Sequence, residues 1–214
     1  MTTDKIKILD VEQGRARALE EAEKFAAYEG YAHKDALRVR LLVEETLAMV
    51  STIADDFFAD FWIDGKRSGL CSIHLNIRTE MDLTKKKELI DASKEKRNEA
   101  ARGLTGKIRE LLENNLYLPR TQAMAGDSSD LFALGMIDMP IAPGAPVPMD
   151  YVDWSLESYR QGIDDVKEVK PEAQEAWDEL EKSILANLAD DVRVAIRGNS
   201  AELVVEKKFT RHLA

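Results

Sequence analysis

Two adjacent carboxylates, Glu44 and Glu45, interrupt the apolar helical pattern of the stretch RLLVEETLAMV. On a helix, Arg40 lies one turn before Glu44, so this carboxylate has a basic neighbour and suits the surface. Glu45 has only apolar side chains one turn away on either side, and burying a carboxylate there is costly unless a cation pairs with it. Either Glu45 reaches into water at the edge of the apolar stripe, or it is an acid or base that faces a pocket.

A second candidate lies in the basic segment 83–109, which holds nine Lys or Arg against four Asp or Glu, a net charge of +5. Within it, RGLTGKI (102–108) places Gly103, Thr105, Gly106 and Lys107 close together. Glycines allow a ligand to approach the backbone, and the N–H groups at a helix start attract anions. The segment is therefore a candidate anion site. A solvated helical face and close helix packing are the alternative explanations.

These two stretches together resemble the histidine-kinase-like ATPases, the family of gyrase, sensor kinases and mismatch-repair ATPases, and most closely the anti-sigma-factor kinases among them. The stretch ALRVRLLVEETLAMV is similar to the first-motif helix, whose glutamate activates water or the attacking group. The resemblance implies that Glu45 is the catalytic residue. RGLTGKI is similar to the glycine-rich motif beneath the nucleotide phosphates, which implies that Gly103, Thr105, Gly106 and Lys107 contact ATP.

The sequence departs from this family at two positions. The family has a magnesium-binding asparagine four residues after the glutamate, and Met49 stands there. The family also has an adenine-binding aspartate followed by glycines, whereas TEMDLTKKKE offers Asp82 with no glycine near it. The resemblance thus implies ATP as a ligand and Asp82 as its adenine contact, with the Mg²⁺ ligand lost.

The clearest strand pattern is LCSIHLNIRTE, in which the odd positions from Cys71 to Ile77 are apolar and the even positions are polar. KIKILDV and FADFWIDGKRSG predict further strands, and VRVAIRGNSAELVVEKKF predicts a hairpin with a Gly-Asn turn. Because these strands carry polar outer faces, helices should cover one side of the sheet only. The predicted fold is α/β (α+β), a two-layer sandwich whose mixed, mostly antiparallel sheet is covered by helices on one face.

Three helices have clear boundary signals. The first should end at Gly30, the second should run from His33 or Lys34 to about Asp55, and the third should begin at Pro171. The third helix is predicted to continue to about residue 190 with four apolar residues on one side: Trp177, Leu180, Ile184 and Leu188. Residues 83–114 are predicted to be helical in two pieces.

The chain is predicted to be a single domain, 1–214, with a Pro/Met-rich loop and helical insertion at 115–190 and no internal repeat. Residues 119–150 are long for a loop and retain apolar side chains, which predicts that they dock on something. We therefore expect a protein partner or a homo-oligomer to bind through 119–160, with Tyr151, Trp154 and Tyr159 as anchors. Packing of these aromatics within the same subunit is the equal alternative.

Composition excludes some classes of function. A net charge of −10 argues against general binding of nucleic acid or anionic membranes. No stretch is long and apolar enough to span a bilayer, the first residues lack a signal-peptide pattern, and the single Cys71 cannot form an internal disulfide, so a cytoplasmic location is expected. The three histidines have no ligand spacing, so no metal site is predicted.

Three functions remain as hypotheses. The first is a regulatory or binding protein on a degenerate histidine-kinase-like ATPase fold, which recognises a protein partner and also a nucleotide or other anion. The second is an active but atypical ATPase or protein kinase with Glu45 as its base. The third is a structural homo-oligomer.

Overall fold

A computed structural model describes residues 1–8, 11–51, 58–78, 103–112, 151–197 and 200–210. Asp55, Asp82, the loop 119–150 and the Gly-Asn turn of the predicted hairpin lie outside the described residues.

One six-stranded sheet organises the described chain. Its strands are β1 (Ile6–Ile8), β2 (Phe58–Gly65), β3 (Leu70–Arg78), β4 (Tyr151–Ser155), β5 (Asp191–Arg197) and β6 (Ser200–Lys208). They lie in the order β1-β2-β3-β6-β5-β4, and each pairing between neighbours is antiparallel. The predicted α+β fold is confirmed.

Six described helices accompany the sheet: α1 (Val11–Tyr28), α2 (His33–Ser51), α3 (Gly103–Leu112), α4 (Leu156–Asp164), α5 (Pro171–Lys182) and α6 (Ile184–Leu188). The helix α1 ends before Gly30, whose φ of 69° is the left-handed conformation that terminates helices. The predicted starts of α2 at His33 and of α5 at Pro171 are confirmed.

Alternation of apolar and polar residues separates the two faces of the sheet. On β3, Cys71, Ile73, Leu75 and Ile77 are buried as predicted, and the corresponding residues of β2, β5 and β6 join them in one hydrophobic core with residues of all six described helices. Ser72 departs from the pattern, because it is only 3% exposed although it lies at a polar-face position of β3. The helices therefore cover the apolar face.

Apart from α3, the described elements form two successive groups with the same order of strand, helices and hairpin. A strand, helices and a hairpin (β1, α1, α2, β2, β3) are followed by a second strand, helices and hairpin (β4, α4 to α6, β5, β6). The hairpins meet at the centre of the sheet, where β3 pairs with β6, and the single strands lie at its edges. The sequence shows no repeat, so this similarity exists in the topology alone.

Two details differ from prediction between 151 and 190. Ser183 breaks the single predicted helix into α5 and α6, because its hydroxyl accepts a hydrogen bond from the Ala186 N–H and caps a new helix. Ile184 is consequently 47% exposed and leaves the predicted apolar face. The aromatics Trp154 and Tyr159 are buried in the core, so this part of the predicted insertion contributes to the sheet and its packing.

Asp190, just before β5, joins this strand to β6. Its carboxylate accepts hydrogen bonds from Lys207 Nζ (2.6 Å) and the Lys208 N–H (2.7 Å). Partial burial acts to raise the pKa of Asp190, but the hydrogen bonds outweigh it and hold the pKa below its ordinary value of 3.8.

We expect Asp190→Asn to lower the free energy of unfolding by less than about 1 kcal/mol at neutral pH, since the site is largely solvated. A group with a depressed folded-state pKa contributes stability above its unfolded pKa, so the difference from wild type should shrink as the pH falls below about 3.8 towards the lower folded-state pKa. Urea unfolding from pH 7 to pH 3 measures this. The exposed Asp4, replaced in Asp4→Asn, is the control, and an equal pH dependence in both variants would contradict the expectation.

Candidate functional site

The motif helices α2 and α3 contact each other within the helical layer. Glu45 is half-buried on α2, and Lys107 is half-buried on α3. Gly103 is the first residue of α3, Thr105 follows within the helix, and Gly106 is buried. The fold thus makes neighbours of the two helices that carry the resemblance, while Asp82 lies outside the described residues.

Position 49, where the resemblance implies a magnesium-binding asparagine, is part of the core. Met49 is 2% exposed and packs in the hydrophobic cluster. A thioether in an apolar environment offers no oxygen ligand, so Mg²⁺ does not fit this position. Among the described residues, no group of three His, Cys, Asp or Glu could hold a metal ion.

The partner predicted for Glu44 was wrong. The carboxylate of Glu44 accepts a hydrogen bond from Arg15 of α1, and Arg40 pairs with Glu23 of α1 instead. Tertiary contacts between the two helices replace the pairing one turn away on the same helix. Both Glu44 and Arg40 therefore have a structural role in joining α1 to α2.

A groove of about 360 Å³ lies on the polar face of the sheet, opposite the helices. Among the described residues, its walls come from strands β2 to β6 and the β2–β3 turn, and its lining is strongly charged. The charged residues are Asp64, Lys66, Asp153, Arg193, Arg197, Glu202 and Glu206, and His74 adds an imidazole ring. The short side chains of Ala195 and Val204 form part of its floor.

His74 lies at the centre of this face, paired with Val204 of β6. Its Nε2 is 3.5 Å from Asp64 Oδ2, and its Nδ1 is 3.5 Å from Glu202 Oε1. The ring stacks on Trp62 with centroids 4.7 Å apart and planes at 5°, and the Lys5 ammonium lies 4.2 Å from the Trp62 ring. The side chain of His74 is only 18% exposed.

Two polar atoms on this face are buried without a hydrogen-bond partner: Nδ1 of His74 and Oδ1 of the neighbouring Asn76. The nearest carboxylate of Glu202 lies at the limit of hydrogen-bond reach from His74. Buried polar atoms without partners are uncommon in folded proteins and identify places where a ligand group can add a hydrogen bond. Of the two residues, His74 lines the groove, so one of these unsatisfied atoms belongs to its lining.

Cys71 lies on the opposite, apolar face and is not a nucleophile. Burial, aided by the carboxylates of Glu29 and Asp64, raises the pKa of its thiol to about 12. We expect no reaction with a thiol reagent at pH 8 in the folded protein and complete reaction after unfolding, because only the thiolate attacks. Mass spectrometry after timed alkylation, with and without urea, measures this; alkylation of the folded protein within minutes would contradict it.

Sequence alternation could have assigned the charged strand residues of the groove to one face, since they lie at polar positions of their strands. The pattern did not reveal which strands are neighbours. That β3 pairs with β6, and so places Glu202 beside His74, follows from pairing between segments more than 120 residues apart. For this reason sequence reasoning missed the groove.

Comparisons of the chain with protein-family models, with curated proteins and with solved structures found no match. In the described part of the chain, no helix has both the length and the apolar character that crossing a bilayer requires.

Proposed function

We propose that this protein is a regulatory binding protein of the cytoplasm that recognises a protein partner through the polar face of its sheet. The observation that carries the proposal is the charged groove on that face, whose described lining consists of strand and turn residues. Because the six described helices pack on the other side, this face presents a broad surface held by a rigid sheet. Such a scaffold suits recognition, because little ordering is needed on binding.

We place this function on a degenerate form of the histidine-kinase-like ATPases, which two stretches of the sequence resemble, with the catalytic chemistry of that family lost. The burial of Met49 supports the loss, because the core has taken over the position of the metal ligand. Recognition then depends on surface charge and shape. The overall charge of −10 also favours a protein partner over nucleic acid.

The test is capture of partners on immobilised protein in three forms: wild type, Arg78→Glu with Arg197→Glu on the polar face, and Arg17→Glu with Lys34→Glu on the helical layer. All four arginines and lysines are exposed, and both double variants change the net charge by −4. We expect a protein that binds wild type and the helical-layer variant but is lost from the polar-face variant. Equal capture by all three forms would refute the proposal.

Nucleotide binding is the second candidate, and the contact between α2 and α3, the helices that carry Glu45 and the glycine-rich motif, favours it. Phosphates would lie at the start of α3 near Lys107, with Glu45 across from them on α2. Turnover would additionally require Glu45 to act as a base without a metal.

Thermal unfolding with millimolar ATP or ADP, with and without Mg²⁺, tests this candidate, because a ligand that binds only the folded state raises its stability. We expect a Mg²⁺-independent rise in melting temperature that Lys107→Ala abolishes, with Glu45→Gln as the variant that separates binding from turnover. An unchanged melting temperature with all ligands would dismiss nucleotide binding.

A further inference from the structure

Strand registers arrange the polar face into rows that run across the strands, and two of these rows are acidic. In row 1, Asp64 is level with Ser72, which is level with Glu206 and then Asp191. In row 3, four residues further along each strand, Asp60, Asn76, Glu202, Ala195 and Asp153 are level. In the part of the sheet that runs β2-β3-β6-β5-β4, each of these rows therefore carries three carboxylates.

The rows beside them carry the basic groups. Row 2, between the acidic rows, has His74 and Arg193, and row 4, beyond row 3, has Arg78 and Arg197. Lys5 extends row 2 beyond β2, where it lies over Trp62. The order along the strands is thus acidic, basic, acidic, basic.

Ion pairs within the chain already link neighbouring rows. Arg193 lies 2.6 Å from Glu206, and Arg78 lies 3.8 Å from Asp60. Because each charge has an opposite charge in the next row, the face has a pattern of charge without a strong excess of either sign. A uniformly basic or acidic partner would meet attraction in one row and repulsion in the next.

An alternating order of four rows is complementary to its own reverse. A two-fold axis parallel to the rows, between rows 2 and 3, places row 1 on row 4 and row 2 on row 3, so every acidic row faces a basic one. Two-fold interfaces of this kind, with the same patch on both subunits, are the commonest in homo-oligomers. We propose that the partner of the polar face is a second copy of this chain, packed face to face; this inference rests on the proposed function of the face.

The size of the face is sufficient for such a dimer. At about 4.8 Å between strands and about 3.4 Å per residue, the five strands β2 to β6, each of five to nine residues, cover roughly 600 Å² before side-chain relief is counted. A standard protein interface buries about 800 Å² per partner. The floor residues Ala195 and Val204 leave room for longer side chains of the second copy to enter the groove.

The chemistry of the face predicts the character of the dimer. Desolvating ion pairs is costly, so charge pairs give orientation more than affinity. The exposed pairs at the rim are also screened by salt. We therefore expect a reversible dimer at tens of micromolar protein, about tenfold weaker in 500 mM than in 50 mM NaCl.

Sedimentation velocity over a range of concentrations tests the inference with charge-reversed chains. The row 4 variant carries Arg78→Glu with Arg197→Glu, and the row 1 variant carries Asp64→Lys with Glu206→Lys. Each variant alone would place like charges on like charges in rows 1 and 4, so each should be monomeric. An equimolar mixture restores acidic against basic in both places, so it should form a heterodimer, and Arg17→Glu with Lys34→Glu should behave as wild type.

A wild-type chain that stays monomeric up to about 1 mM would overturn the inference, as would a row 4 variant that dimerises as well as wild type. Thermal unfolding of each variant shows that it is folded; if the row 1 variant is unfolded, Asp64→Lys alone replaces it. Failure of the dimer and failure of the proposed function can be told apart. If wild type is monomeric but the row 4 variant still loses a captured protein, the face binds a different partner; if capture is also unchanged, the face is not a binding surface.

Discussion

Replacing Trp154 with alanine should lower the free energy of unfolding by about 4 kcal/mol, the typical cost of deleting a large buried aromatic side chain. Trp154 is 0% exposed on the edge strand β4, and its ring lies 5.7 Å from that of Tyr159. The side chain joins the second strand–helix–hairpin half to the common core, so the cavity would lie between β4 and the helices that follow. Urea unfolding followed by far-UV circular dichroism measures the change.

Trp154→Phe is the informative control. The indole Nε1 is buried without a hydrogen-bond partner, so phenylalanine removes an unsatisfied donor as well as some volume. We expect this variant to lose less than half of the stability that alanine loses. If Trp154→Ala remained as stable as wild type but changed the sedimentation coefficient, Trp154 would be an interface anchor and its place in the core would be wrong.

Replacing Gly69 with alanine should cost roughly 3 kcal/mol, because the new Cβ meets both a strained backbone and a close contact. Gly69 has a φ of 87°, and a Cβ there would lie 2.3 Å from the carbonyl oxygen of Phe209. The residue also holds the β2–β3 turn: its N–H donates to the Lys66 carbonyl, and its carbonyl accepts from the Phe209 N–H. Neither backbone contact can move without opening the centre of the sheet.

Gly30 provides a matched comparison, since its φ is 69° but a Cβ there would meet nothing within 4 Å. Gly30→Ala should therefore cost only the conformational part, roughly 1 kcal/mol. The difference between the two alanine variants isolates the contact with Phe209. Equal losses of stability would show that the close approach at Gly69 does not constrain the fold.

Much of the fold could be predicted from local patterns, because each pattern reflects one physical requirement. Alternation along β3 follows from a sheet with one buried face, and the starts of α2 and α5 follow from the signals at His33 and Pro171. The break at Ser183 was missed, because an apolar spacing that fits one helix also fits two short helices joined by a cap. Periodicity cannot distinguish these two.

The candidate site was less accessible, for a different reason. Glu45 and the segment 103–107 were chosen from a resemblance, and the fold brings their helices together. The groove around His74 depends on the register between β3 and β6, which no local pattern encodes. Ion pairs such as Arg15 to Glu44 likewise depend on how helices pack rather than on spacing within one helix.

The most direct measurement of whether the polar face binds a protein is site-specific photo-crosslinking from Ala195 in the floor of the groove, with Ala27, exposed on α1, as the control position. The expected result is one discrete adduct from position 195 and none from position 27, with the mass of the adduct showing whether the partner is a second copy of the chain or a different protein. The adduct should disappear when both chains carry Arg78→Glu with Arg197→Glu. No adduct from position 195, or the same adduct from both positions, would contradict a binding role for this face.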